Sequence, residues 1–369
     1  MIAQNDFARQ WKTIEPSVIE AVRRVGSSGW FILGQEVDQF EKALARQWGI
    51  AHAVGVGNGM DALEIGLRCF DLRPGEKVLT TSFSAFATTL AILRAGGMPV
   101  FVDVDDCGNI DLQQCRDVLT RDASIRFLMP VHLYGNPCDL EKLAALKRDF
   151  DVRILEDCAQ AIGAEHGGRV VGSVGQIAGT SFYPTKNLGA LGDGGAVLTN
   201  DGALAARARS LRNYGQSSVY AHDERGLNSR LDELQAAILS QALLPHLAER
   251  TKRRRQIAAR YRGEIKNPGI RMLQIRDDVE PAWHIFPLFT ASRDRLRDYL
   301  RESGIESAVH YPRIIPDQKT LQFGIAHEVA VEARTARSLA ATEVSIPIHP
   351  FLEDSEVGAV IRALNDFEA

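Results

Sequence analysis

The sequence predicts an α/β protein, a mostly parallel central sheet flanked by helices with a smaller α+β unit after it, and three observations carry that prediction. From Ala53 to about Asn200, short runs rich in Val, Ile and Phe alternate with stretches of helical period, the pattern of successive βα units. Beyond Pro268 the pattern changes to one alternating strand and two amphipathic helices. The length of 369 residues suits a large domain carrying a smaller one, which we place at residues 1–250 and 251–369.

The strands expected in order are VGVG at 54–57, KVLTTSF at 77–83, PVFVDV at 99–104, IRFLMPV at 125–131, VRILE at 152–156 and GAVLTN at 195–200. Helical spacing marks 61–70, 87–95 and 140–150 between them, and a helix from Leu231 to about Tyr261, open to a break at Pro245, closes the large domain. The smaller unit holds a strand in AWHIFPLF at 282–289, a helix near 293–303 and a last helix near 354–367. The cluster Lys252, Arg253, Arg254 and Arg255 is read as a solvated helix face rather than a nucleic-acid patch.

Composition narrows the function. A formal charge of -4 provides no field to gather nucleic acid or an anionic membrane, so small molecules are the expected partners. The first residues show neither a basic leader nor a signal-length apolar core, and no run approaches a membrane span, which places the protein in the cytoplasm. Five scattered cysteines without a C-x-x-C pair read as reduced thiols, and nine histidines without zinc-type spacing predict no metal site.

Three segments could carry chemistry. The turn from Gly55 through Gly57 and Gly59 to Asp61 joins a strand to a helix, where free backbone N–H groups and the helix dipole suit an anion. It fits a phosphate cradle or a plain tight turn, but Met60 stands where a dinucleotide fingerprint needs glycine. The strand VRILE ends in Glu156 and Asp157, at the carboxyl edge where ligands of open α/β sheets bind; one acid there suits a cationic ring nitrogen, and the plainer role for Asp157 is to cap a helix. Lys186 stands among Pro, Gly and apolar residues without neighbouring charge, a setting that depresses an amine pKa and permits a Schiff base. Phosphate cradle, acid and lysine are together the three anchors of pyridoxal 5'-phosphate.

Three blocks, EDCAQAIGA at 156–164, SFYPTKNLGALGDGGA at 181–196 and NSRLDELQAAIL at 228–239, resemble the DegT/DnrJ/EryC1/StrS sugar aminotransferases. The likeness extends from SGWFILGQEVDQFE at 28–41 to SIPIHPFLEDSEV at 345–357. It implies the aspartate aminotransferase fold (fold type I) and a homodimer with shared active sites. By this resemblance Lys186 is the Schiff-base lysine, Asp157 faces the pyridine nitrogen, Gln160 bonds the ring hydroxyl and Ala159 packs on a ring face. Gly59, Met60 and Ser181 would hold the phosphate, joined by Asn228 from the other subunit. The sequence departs from the family at Met60, where many relatives have Thr or Ser, and at Ala85, where many have a stacking aromatic; Phe86 is adjacent and is carried as a cofactor-binding candidate, the sequence leaving open whether it takes the aromatic's place.

Within the family, the run around Tyr183 and the pair His310 and Tyr311 in AVHYPRI look like enzymes acting at C3 of 3-keto-6-deoxyhexoses; core packing is the plainer role for that pair. The resemblance therefore implies transfer of an amino group from glutamate to C3 of a dTDP-linked 3-keto-6-deoxyhexose, serving cell-surface polysaccharide or antibiotic sugars. Amination of a C4 ketone is the alternative. Sugar dehydratases of this family typically carry histidine in place of the lysine, and a silent regulator would need no reacting groups, whereas Lys186 is present here.

Overall fold

Each expected βα unit forms where hydrophobic periodicity placed it, in a computed structural model that describes residues 1–368. Seven strands of the main sheet are β1 (His52–Val56), β2 (Lys77–Thr81), β3 (Met98–Val102), β4 (Phe127–Met129), β5 (Arg153–Asp157), β6 (Ile177–Ser181) and β7 (Gly195–Thr199). They lie in the order β1-β7-β6-β5-β4-β2-β3, and the short strand Glu328–Val329 adds in parallel at the β3 edge. Pairing is parallel from β3 through β6; β7 alone runs antiparallel, to β6 on one side and β1 on the other.

β6 is absent from the sequence expectation because IAGTS carries one large apolar residue and a central glycine, too little pattern to read as a strand. Tertiary packing supplies the reason for Gly179: a Cβ there would lie 2.7 Å from Leu63 on helix α3 (Gly59–Cys69). The expected helix over 231–261 is interrupted as Pro245 suggests: Glu233–Ile238 is α-helical, Leu239–Leu243 widens to a π turn, Leu244–His246 tightens to 3₁₀, and Leu247–Glu264 resumes as α.

Two helices precede β1. α1 (Phe7–Ser28) buries Ile14, Val18, Ala21 and Val25, and α2 (Gln35–Trp48) buries Val37, Phe40, Leu44 and Trp48, in one core with the 236–247 segment. The Glu233 carboxylate accepts the N–H groups of Gly34, Glu36 and Val37, at 2.8, 2.9 and 2.9 Å, and so caps α2 from a distant part of the chain.

In the C-terminal part, Arg271–Met272, Phe286–Phe289 and Glu343–Ile346 form an antiparallel sheet covered by Arg293–Glu302 and Asp354–Asp366. Only the second half of 282–289 is a strand. Its first half instead follows residues 134–135, with Ala282 N–H donating to Gly135 O and His284 N–H to Tyr134 O. Ile2 packs on this smaller core and forms a bridge with Ile305, so the N-terminal segment touches the C-terminal part. No helix is long and apolar enough to cross a membrane among the described residues.

The 252–255 cluster is a solvated face at Lys252 but not at Arg254. Arg254 is buried and donates to the carbonyls of Trp283, His284 and Ile348, Arg255 reaches those of Pro281 and Gly163, and Arg253 that of Leu352. Charge density in sequence could not reveal that loop carbonyls surround this helix.

Candidate active site

The Gly-rich turn ends at a helix start stripped of local partners. Asn58 caps α3 by accepting the Asp61 N–H at 2.8 Å, which leaves the Gly59 and Met60 N–H groups without an acceptor among the described residues. Close approach is built in: a Cβ on Gly59 would lie 2.5 Å from Ser181 Cβ, and one on Gly195 2.5 Å from the Asn58 carbonyl. Ser181 at the end of β6 therefore packs closely on Gly59, at the helix start that an anion cradle would use. The Met60 side chain turns away toward Arg94, so the turn offers the backbone of Met60 rather than its thioether.

The two acids at the end of β5 separate by function of environment. Glu156 is fully buried, and its oxygens accept the N–H groups of Gly172, Val174 and Gly175 and contact His132 Nε2 at 2.9 Å. Burial opposes its ionisation, but the His132 bond and these N–H donors outweigh burial and hold the carboxyl below its usual range. His132, Glu156 and Cys158 gather metal-type atoms within 4.8 Å, yet His132 Nδ1 already accepts the Cys138 N–H and both Glu156 oxygens are taken.

Asp157 begins no helix. Its Oδ1 accepts the Ala159 N–H at 3.1 Å and its Oδ2 the Thr88 hydroxyl at 2.8 Å, with Ser84 behind at 3.2 Å from Thr88 Oγ1. Burial raises its pKa against those two bonds and the nearby Lys186, so this carboxyl is short of a cation. Gln160 is fixed at both ends, its Oε1 accepting the Tyr134 N–H at 2.7 Å and its Nε2 donating to Tyr311 Oη at 3.1 Å.

Burial lowers the Lys186 amine to about 8, against the opposing pull of Asp157. Lys186 Nζ lies 3.5 Å from His284 Nε2, and desolvation, then Lys186 itself, pushes the His284 pKa well down, keeping that ring neutral. His310 is lowered to about 4 by burial and by Lys186, and its Nδ1 meets Ser345 Oγ at 2.8 Å. Tyr311, edge-on to Phe83, has its phenol raised to about 12 by burial.

Lys186, Asp157, His310, Tyr311 and Gln160 thus gather within reach of one another, and Ala159 follows Asp157 in the chain. Phe86 opens helix α4 (Phe86–Arg94), and its ring packs against Phe101, Ile315 and Leu321. Tyr183 is 53% exposed, and Asn228 is exposed beside a bridge to Asn213. Sequence reasoning missed Thr88, His284 and Ser229, the last bonding Asp61 Oδ2 at 2.7 Å and accepting the Gly57 N–H at 3.0 Å. The only sequence signal for His284 was a polar ring inside an apolar run.

Comparison with known proteins gives the family. The model of the DegT/DnrJ/EryC1/StrS aminotransferase family matches residues 12–365. A dTDP-3-amino-3,6-dideoxy-alpha-D-galactopyranose transaminase of Aneurinibacillus thermoaerophilus is 41% identical over 96% of this chain and 96% of its own. Among solved structures, DesV of S. venezuelae in complex with a ketimine intermediate superposes with a TM-score of 0.93 at 37% identity, over 99% of this chain and 98% of that one. NtdA of Bacillus subtilis with bound cofactor PMP gives 0.86 at 26%, over 95% and 80%.

Proposed function

The chain belongs to the DegT/DnrJ/EryC1/StrS aminotransferase family, and from that premise we propose that it transfers the amino group of glutamate to C3 of a dTDP-linked 3-keto-6-deoxyhexose. The observation that carries this reading is the meeting of a buried amine with pKa about 8, a buried carboxyl short of a cation, and free helix-end N–H groups on one sheet edge. The A. thermoaerophilus relative, a dTDP-3-amino sugar transaminase, supports the C3 regiochemistry.

The residues present fit pyridoxal 5'-phosphate. Gly59, Met60 and Ser181 suit its phosphate, Asp157 its ring nitrogen, Gln160 its ring hydroxyl and Ala159 one ring face. When bound, the cofactor supplies a carbonyl carbon and an electron-accepting ring that acidifies the Cα–H of an amino acid. Asp157, with Thr88 and Ala159 holding its two oxygens, keeps a proton on the ring nitrogen, because an adjacent cation restores its charge. Lys186 Nζ would hold the aldehyde and, once displaced by the donor's amine, would move the donor's Cα proton to the cofactor carbon and, with the ketone, a proton from there to the sugar carbon. Over a full cycle glutamate becomes 2-oxoglutarate and the ketone becomes an amine. His310, neutral at working pH, and Tyr311 face the sugar, and Tyr183 contributes from the adjoining surface. We also infer a cytoplasmic homodimer.

The test is turnover of a dTDP-3-keto-6-deoxyhexose with glutamate, the amino sugar being identified by mass spectrometry, in wild type and Lys186→Ala. The expected result is a 3-amino product that the variant does not form, with borohydride fixing the cofactor to Lys186 in wild type only. A 4-amino product would overturn the regiochemistry, and normal turnover by Lys186→Ala the whole reading.

A further inference from the structure

A small cavity with Lys186 in its wall opens between the segment leading into α1 and the start of the Leu247–Glu264 helix, and Asp6, Asn187, Arg250, Arg254 and His349 also line it. Arg250 is half-buried, lies over the Phe351 ring at 5.2 Å, and makes no hydrogen bond or ion pair among the described residues. Arg254, one turn on, gives one arm to three carbonyls, has no carboxylate within ion-pair distance, and is only 5% exposed. His349 is 3% exposed; its ring nitrogens make no side-chain hydrogen bond among the described residues, and the Ala3 backbone lies beside the ring.

Such a set is costly without a ligand, because like charges one helical turn apart repel and a guanidinium charge loses hydration when it is buried without a counter-ion. Desolvation lowers both arginines, Arg254 to about 9, and lowers His349 to about 4, so the ring is neutral and keeps one N–H to donate. Asp6 does not balance the charge, since its Oδ1 caps α1 through the Arg9 N–H at 2.8 Å and its Oδ2 faces Arg9 Nε at 3.2 Å. The planar guanidinium fork matches a carboxylate. In an amination, the reactant that brings a carboxylate next to the carbon whose proton Lys186 takes is the amino donor. We propose that Arg250, with Arg254 and His349, forms the subsite for a carboxylate of the amino donor, separate from the nucleotide-sugar contacts. This rests on the aminotransferase reading above.

Arg250→Gln is the variant of choice, because that side chain supports no backbone carbonyl, whereas Arg254 holds three. In the holoenzyme, glutamate affinity is read from the absorbance change it causes, and calorimetry with succinate gives binding without turnover. We expect both dissociation constants to rise by roughly tenfold to a hundredfold, the KM for the keto sugar and cofactor content to stay as in wild type, and Arg250→Lys to recover part of the loss. Unchanged glutamate and succinate binding would overturn the subsite, as would an equal rise in the keto-sugar KM, which would assign the charge to the nucleotide's diphosphate. Succinate binding that depends on Arg250 in an enzyme that aminates no keto sugar would keep the subsite and remove the function proposed above.

Discussion

Lys186 and Asp157 act on each other's protons. Burial lowers the lysine and raises the aspartate, while each charge favours the other's ionised form. With a pKa of about 8, roughly a tenth of the Lys186 amine is neutral at pH 7, against about 0.03% for an ordinary lysine amine at 10.5. The cofactor-free enzyme should therefore show acylation of Lys186 by acetic anhydride with a midpoint near pH 8, followed by peptide mapping, and Asp157→Asn should move the midpoint lower. A midpoint near 10.5 would remove desolvation as the activating cause. The sign for stability follows: from about pH 8 to 10.5 the unfolded chain keeps a proton that the folded chain has lost, so the penalty for burying Lys186 fades as pH rises.

Elements explain why adjacent residues with the same chemistry have different duties. Glu156 points to the side of β5 where residues 172–175 fold back onto it, and Asp157, one residue on, points to the opposite side and the cleft. Glu156→Ala would leave His132 and three N–H groups without their partner, so we expect a loss of about 3–5 kcal/mol in urea unfolding. Asp157→Asn, tested in the same way on cofactor-free protein, should unfold close to wild type and fail in turnover; an equal loss in both would dissolve the division. The parallel strands were legible because each is an apolar run closed by turn residues, and Lys186 because an isolated lysine among glycines breaks the surface pattern. β6 and Arg254 were not, since their burial comes from Leu63 and from distant loop carbonyls that no local window contains. Glu233 makes the same point: what reads as a polar residue opening a helix is the cap of α2, tying the 228–239 block to the 28–41 block.

At the scale of the whole molecule, one region of the chain is unusually apolar for a free surface. Trp30, Phe31 and Ile32 are 62%, 57% and 44% exposed, and they adjoin residues 232–233 through the Ile32 bridge to Asp232 and the Glu233 N–H bond to Phe31 O. Tyr214 and Tyr220, 44% and 91% exposed, follow nearby, Tyr214 under the Arg230 guanidinium at 5.1 Å. Exposed aromatics suit an interface, and Asn228 is exposed in the adjoining segment, so in the homodimer proposed above a second copy would cover the region and bring Asn228 to a neighbour's phosphate cradle. Complementation tests this directly. Lys186→Ala is expected to be inactive alone, and Asn228→Ala weak from poorer cofactor retention. Unfolding them together and refolding gives mixed dimers in which one site pairs an intact Lys186 with an intact Asn228 of the partner, while the other carries both defects. Activity should recover in the mixture, and cofactor content with it. If Asn228 served the cradle of its own chain, every site in the mixed dimer would keep one defect and no recovery would follow, which would place the phosphate contacts within a single subunit.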